Sequence, residues 1–175
     1  MLEYTQDLPH AIKLIPYVVF IGVGATAIMD FWTIFLKTAF NIAGLNFALV
    51  GRWMTHMMKG QFTHESIAQS SKTSGEAFIG WTAHYVIGII YAGAVVLIWG
   101  EAWLANPTLL PALIIGVTTV VIPFFIMQPC FGMGIAGSKM PKPSLVRLKS
   151  FASHFVFGVG IYLAGLLLHN LAYAQ

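Results

Sequence analysis

Charge is what this sequence has least of. Only 9% of its 175 residues are charged and 58% are hydrophobic, with a mean hydropathy of +0.79, whereas a soluble domain carries roughly 25% charged residues. A water-soluble globular domain is excluded, and the chain reads as an integral membrane protein. Acids are scarcer than bases, six against nine, but the bases flank apolar segments rather than gathering on one face. No nucleic-acid partner is expected. A single cysteine, Cys130, excludes an internal disulfide. No two histidines stand at the HxxxH spacing that holds a metal on one helix face. A basic leader is also missing: "MLEYTQDLPHAIK" places Glu3 and Asp7 ahead of the first apolar run, so no cleaved signal is expected. No internal repeat is visible.

What the chain does have is four apolar runs, at about 14–37, 76–99, 108–136 and 150–171. Each is long enough to cross about 30 Å of hydrocarbon at 1.5 Å per residue. The connector after the third run holds Lys139, Lys142, Arg147 and Lys149 without an acid, and the one after the first holds Arg52, Lys59 and Lys72. "GEAWLANPT", between the second and third, has neither Lys nor Arg. The positive-inside rule makes both basic connectors cytoplasmic and both termini external. Residues 41–59 are apolar but interrupted, with Arg52, His56 and Lys59 on one helical stripe opposite Phe47, Val50, Met54 and Met58. The expectation is therefore an all-α, four-span transmembrane helix bundle forming one domain, with an interfacial amphipathic helix between spans one and two.

Each span carries a polar group at a similar expected depth. Asp30 lies seven residues before Lys37, His84 eight after Glu76, His154 five after Lys149, and Gln128 eight before Ala136, which places them about 8 to 12 Å inside the cytoplasmic helix ends. Residues four apart on the same faces are small or polar, among them Gly22, Thr26, Gly80, Gly88, Gly132, Gly158 and Tyr162, as expected where membrane helices approach closely. The four groups are expected to converge, with His84 paired to some of Asp30, Gln128 and His154. Packing glue is the plainer reading, but buried ionisable groups in membranes usually mark sites.

Three function classes follow. In the first, a buried site near the cytoplasmic leaflet holds haem b or an iron, copper or zinc ion, with His84 and His154 as ligands and Asp30 and Gln128 as ligands or their supports. "MTHMMKGQFTH" and Cys130 add His56 and His64 as weaker candidates, in a thioether and imidazole setting that suits Cu(I). In the second, Asp30 and the histidines carry protons or accompany a small solute, and the prolines of span three, Pro111, Pro123 and Pro129, open the helix. Four spans are few for that, so a homo-oligomer is implied. In the third, the polar level only locks a scaffold subunit of a membrane complex. No catalytic residue can be named, and enzyme activity stays open.

The remaining signals have plain readings. "FGMGIAG" supplies a GxGxxG in Gly132, Gly134 and Gly137, but a membrane helix precedes it, so it is no dinucleotide site; it frees Lys139, Lys142 and Arg147 to reach anionic lipid headgroups. Trp81, Trp99, Trp103 and Tyr173 suit interfacial anchoring. His10 and His169 fall toward the outer side. Arg52 is placed to pair with Asp30 or Glu76, or to snorkel to phosphate.

Six stretches, "AIMDFW", "GRWMTHMMKGQFTH", "GWTAHYVIG", "NPTLLPALIIG", "QPCFGMGIAGSKMP" and "RLKSFASHFVFGVGIYLAG", span nearly the whole chain. On these it resembles a family of small bacterial integral membrane proteins known as a domain of unknown function. The resemblance implies a bacterial inner-membrane location and about four spans, with no activity or site residue to carry over.

Overall fold

The computed structural model describes residues 4–173, with side chains from 12 to 171. The acids of the leader segment, His10 and the Tyr173 anchor lie outside the described side chains. All regular structure among the described residues is helical. The elements are α1 (Tyr4–Phe40), α2 (Phe47–Met57), α3 (Glu76–Ala105), α4 (Leu109–Thr118), α5 (Gln128–Cys130) and α6 (Pro143–Tyr173). Four segments are long and apolar enough to span a membrane: Ile12–Phe40, Glu76–Ala105, Leu109–Cys130 and Pro143–Leu171. The expected four-span, all-helical architecture with a short helix between spans one and two is present.

The four spans form a ring in which α1 packs on α3 and α6, α4 packs on α6, and α3 meets α4. Ile21, Ala25, Val95, Ala112, Phe157 and Ile161 fill its interior. Small residues set the spacing: a Cβ added to Gly116 would stand 2.5 Å from the Cα of Gly158. Along the α1–α3 seam Gly22 lies against Ile89 and Thr26 against Gly88, while Asp30 meets His84. The order runs up one helix and down the other, so the pair is antiparallel.

Boundaries shift from those expected, for local reasons. Span three stops at Cys130 rather than near residue 136. Pro123 begins a π-helical turn through Met127 in which the Gln128 N–H donates to the Pro123 carbonyl. Past Cys130, Gly132 and Gly134 take left-handed φ of 85° and 73°, which glycine adopts at little cost. Span four begins at Pro143, whose missing N–H suits a first turn. The second span continues to Ala105 through a break at Gly100, φ 69°.

The segment after α1 turns back along the bundle. Asn41, at φ 54°, ends α1; its N–H donates to Lys37 O and that of Ile42 to Leu36 O, both at 3.1 Å, a left-handed cap of the kind asparagine tolerates. Gly44 then lies against Thr33, where an added Cβ would come within 2.2 Å of Cγ2. Thr33 stands seven residues, or about 10 Å, back from the end of α1. From there Asn46 caps α2 by accepting from the Ala48 N–H at 3.1 Å, and α2 runs outward beside the first turns of α3.

Candidate functional site

Asp30 of α1 and His84 of α3 meet at the seam where the two spans run antiparallel. His84 Nε2–H donates to Asp30 Oδ1 at 2.9 Å, and the Tyr85 hydroxyl donates to Oδ2 at 2.9 Å. Both carboxylate oxygens are thereby engaged from adjacent residues of one helix. The side chains of His84 and Asp30 remain 8% and 17% exposed, so the carboxylate is largely but not wholly enclosed. Buried carboxylates in a bilayer are costly unless paired in this way. Tyr85 was not foreseen from the sequence, because an aromatic one residue from a polar group in an apolar run is indistinguishable from filler.

α2 covers this site. The Phe47 ring lies on His84 with centroids 3.9 Å apart and also contacts Trp81 at 4.7 Å. Close approach of the two helices depends on a pair of glycines: a Cβ on Gly51 would come 1.9 Å from Glu76 O, and one on Gly80 1.8 Å from Phe47 O. One turn further along α2, Arg52 donates from Nε to Glu76 Oε2 and from Nη2 to Oε1, both at 2.8 Å. Its Nη1 also reaches the carbonyls of Ile67, Ala68 and Ser70 at 3.1–3.2 Å. Hydrogen bonding to Glu76 raises the guanidinium pKa above its ordinary value in spite of burial, so Arg52 stays charged. Of the partners open to Arg52 from sequence, the structure selects Glu76. Arg52 and His56 are both buried, so the polar stripe of α2 faces protein.

His154 and Gln128 are not brought to this site. His154 shares a hydrogen bond of 2.9 Å between Nδ1 and the Thr119 hydroxyl, on the α4–α6 seam. Gln128 Nε2 donates to Ser150 Oγ at 3.1 Å. The boundary shifts explain part of the difference in depth. Asp30 now lies ten residues from the end of α1, His84 eight from the start of α3 and His154 eleven from the start of α6, about 12 to 16 Å in each case. Gln128 lies two residues from the end of its span, about 3 Å. The expected convergence of four groups therefore resolves into the Asp30–His84 pair and two separate contacts. Thr119 and Ser150 carried no signal in the sequence beyond being hydroxyls in apolar runs.

His56 and His64 do come together, at the basic end of the bundle. Nδ1 of one faces Nε2 of the other at 2.8 Å, and the His64 N–H donates to the Cys130 carbonyl at 2.9 Å. Among the described residues, no three His, Cys, Asp or Glu side chains gather into a group that could hold a metal ion.

A scan against known families matches residues 19–168 to the family described as "Protein of unknown function (DUF2938)". The chain belongs to this family. No curated protein and no solved structure matches it. The family match runs from within the first span to within the fourth, so Asp30, His84, Tyr85 and the α2 cap lie within the family's matched region, and the chain is a multi-span membrane protein of that family.

Proposed function

We propose that the protein is a proton-linked transport subunit of the bacterial inner membrane, in which the Asp30 carboxylate is the proton-carrying group and His84 and Tyr85 position it. The observation that carries this reading is the Asp30 carboxylate inside a span, accepting from His84 and Tyr85 without being wholly enclosed by protein. Protonation of Asp30 would cancel its charge and turn an acceptor into a donor. That change weakens both contacts across the α1–α3 seam, so gain or loss of a proton there alters the fit of two spans. Carboxylate and imidazole chains inside membrane spans serve as proton relays for this reason.

The chain around the site supports the same reading. Residues 41–46 return alongside α1 without helical structure, and irregular backbone at membrane depth is tolerated where it is enclosed by protein or lines a wet cavity. Discontinuous segments of this kind build the binding sites of many transporters. Lys37 Nζ donates to Asn41 Oδ1 at 2.7 Å, and Lys149 Nζ donates to Ala43 O, so the segment is held by cations at the end assigned to the cytoplasm. Exposed Lys139, Lys142 and Arg147 at that end suit anionic lipid headgroups. Four spans give a small transport path, and a homo-oligomer completes it.

The test is proton uptake into liposomes holding a pH-sensitive dye and driven by a potassium diffusion potential. The wild-type protein is expected to carry protons and D30N to lose that flux, with both proteins inserted and monodisperse. Equal flux in D30N, or wild-type flux no greater than in protein-free liposomes, overturns the reading and leaves a scaffold subunit.

A further inference from the structure

The transport reading leaves unused a pair of imidazoles at the basic end of the bundle. His56 on α2 and His64 in the connector beyond it are 7% and 9% exposed. Their rings stack with centroids 5.0 Å apart and planes at 28°, and His56 Nδ1 faces His64 Nε2 at 2.8 Å. One proton lies in that contact, donated by one ring and accepted by the other, so the contact depends on the protonation state of both. Neutral imidazoles can make it. Two protonated rings cannot, because each facing nitrogen then carries a hydrogen.

The surroundings offer a charged pair no support. His64 Nδ1 is buried with no hydrogen-bond partner, so a proton placed there meets no acceptor. Arg52 stands four residues before His56, on the same face of α2, and its Nη1 reaches the carbonyl of Ile67, three residues after His64. The nearest fixed charge is thus a cation, and its counter-ion Glu76 is already engaged by it. Of the other ionisable groups on the elements packed here, Lys59 past α2, Glu65 and Lys72 in the connector, and Lys139 and Lys142 after the third span are exposed, while Cys130 closes that span. Neither ring is ion-paired among the described residues. An unpaired buried charge is costly, so charge on this pair is met by water, which the rings reach by parting.

Parting the rings frees the connector. His64 lies outside the helices, and the chain around it is clipped to the end of the third span by two main-chain bonds, His64 N–H to Cys130 O at 2.9 Å and Ile67 N–H to Phe131 O at 3.2 Å. Gly132 makes room for this, since a Cβ there would overlap the Glu65 carbonyl. The same connector supplies the carbonyls of Ile67, Ala68 and Ser70 to Arg52, which ties α2 to Glu76 at the start of α3. We propose that the His56–His64 contact is an acid-released latch. Sharing a proton, the rings hold the connector against α2 and the third span. Protonated, they part, His64 turns to water, and residues 61–67 leave the third span and loosen the carbonyl set that holds Arg52. Imidazole changes charge between about pH 5 and 8, so the latch answers to acidity on the side of the basic connectors. That its release loosens the α2 cover over His84 and so regulates proton flux rests on the transport reading; the latch itself does not.

The test is hydrogen–deuterium exchange of the detergent-purified full-length protein at about pH 8 and about pH 5. It is read by mass spectrometry as protection factors for peptides across 61–70, each rate being taken relative to the unstructured chain at the same pH. Opening that takes up one net proton shifts the closed–open balance about tenfold per pH unit, so wild-type protection is expected to fall by at least about tenfold while that of α6 holds. In H56N/H64Q the side-chain amides place a donor and an acceptor near the facing nitrogens and do not titrate, and protection is expected to be equal at the two pH values. H64A is expected to lack protection at both. Equal wild-type protection at the two pH values overturns the inference, whether or not any variant folds, and so does a fall in H56N/H64Q as large as that of the wild type. D30N is expected to keep the wild-type response, so the latch and the role of Asp30 stand or fall separately.

Discussion

The Phe47 ring lies 3.9 Å, centroid to centroid, from the imidazole of His84 at an interplanar angle of 27°. This contact joins the first residue of α2 to the histidine that holds Asp30. The placement of α2 and the geometry of the intramembrane pair are therefore one problem. Anything that lifts α2 off α3 uncovers His84.

Replacement of Phe47 by alanine is expected to do so. Stacked rings contribute about 0.5–1.5 kcal/mol beyond area burial, so F47A is expected to lower stability by about 1–2 kcal/mol. His84 is expected to become several times more reactive toward diethyl pyrocarbonate, read by mass spectrometry of the modified peptide. Unchanged His84 reactivity would mean that Phe47 does not shield the site.

The ion pair one turn along α2 is expected to matter more than a surface pair. Arg52 and Glu76 side chains are 5% and 15% exposed, and removing one partner of a buried pair costs about 3–5 kcal/mol because the other charge is stranded. E76Q is expected to lower the melting temperature in detergent by roughly 10 °C, at 2–4 °C per kcal/mol for a chain of this size. R52K is expected to be destabilised as well. A lysine keeps the charge but cannot reproduce the planar fork that holds both Glu76 oxygens and three carbonyls at once. An R52K protein as stable as wild type would show that charge alone suffices.

How far the sequence could be read depended on which quantity was asked of it. Hydropathy located all four spans, because bilayer thickness fixes their length, and depth counted inward from Glu76 and Lys37 put Asp30 among three candidate partners of His84, of which the fold selects Asp30 alone. The same counting misplaced Gln128, since its reference point, residue 136, lies beyond a helix end set by Pro129, Gly132 and Gly134. Those residues also permit a bent but continuous helix, and only the packed chain decides between them. For α2, the period of Arg52 and His56 gave the polar stripe but not what it faces. The stripe turns inward because Glu76 and the carbonyls of residues 67–70 offer a guanidinium more partners than solvent exposure would retain. His154 found Thr119 instead of the central pair because α4, rather than α3, is its close neighbour on that face.

Orientation is open to a direct measurement. With Cys130 replaced by serine, a cysteine at Asn106 is expected to react with a membrane-impermeant maleimide in cells whose outer membrane is permeabilised. One at Ser71 is expected to react only after the inner membrane is opened. Both positions are exposed and lie in connectors at opposite ends of α3. The reverse labelling pattern would place the basic connectors outside, against the distribution of Lys and Arg.

The separation of His154 from Asp30 makes the last prediction the sharpest. If His154 only bonds Thr119 across the α4–α6 seam, then H154A, T119V and the double variant should form a thermodynamic cycle with a coupling near 0.6 kcal/mol, the average for hydrogen bonds between membrane helices. Proton flux in H154A is expected to remain at the wild-type level under conditions where D30N abolishes it. A flux as low as that of D30N would mean that His154 joins the working site in some state of the bundle. The α1–α3 and α4–α6 seams would then have to move against each other during the cycle, with His154 and Asp30 as partners in alternation.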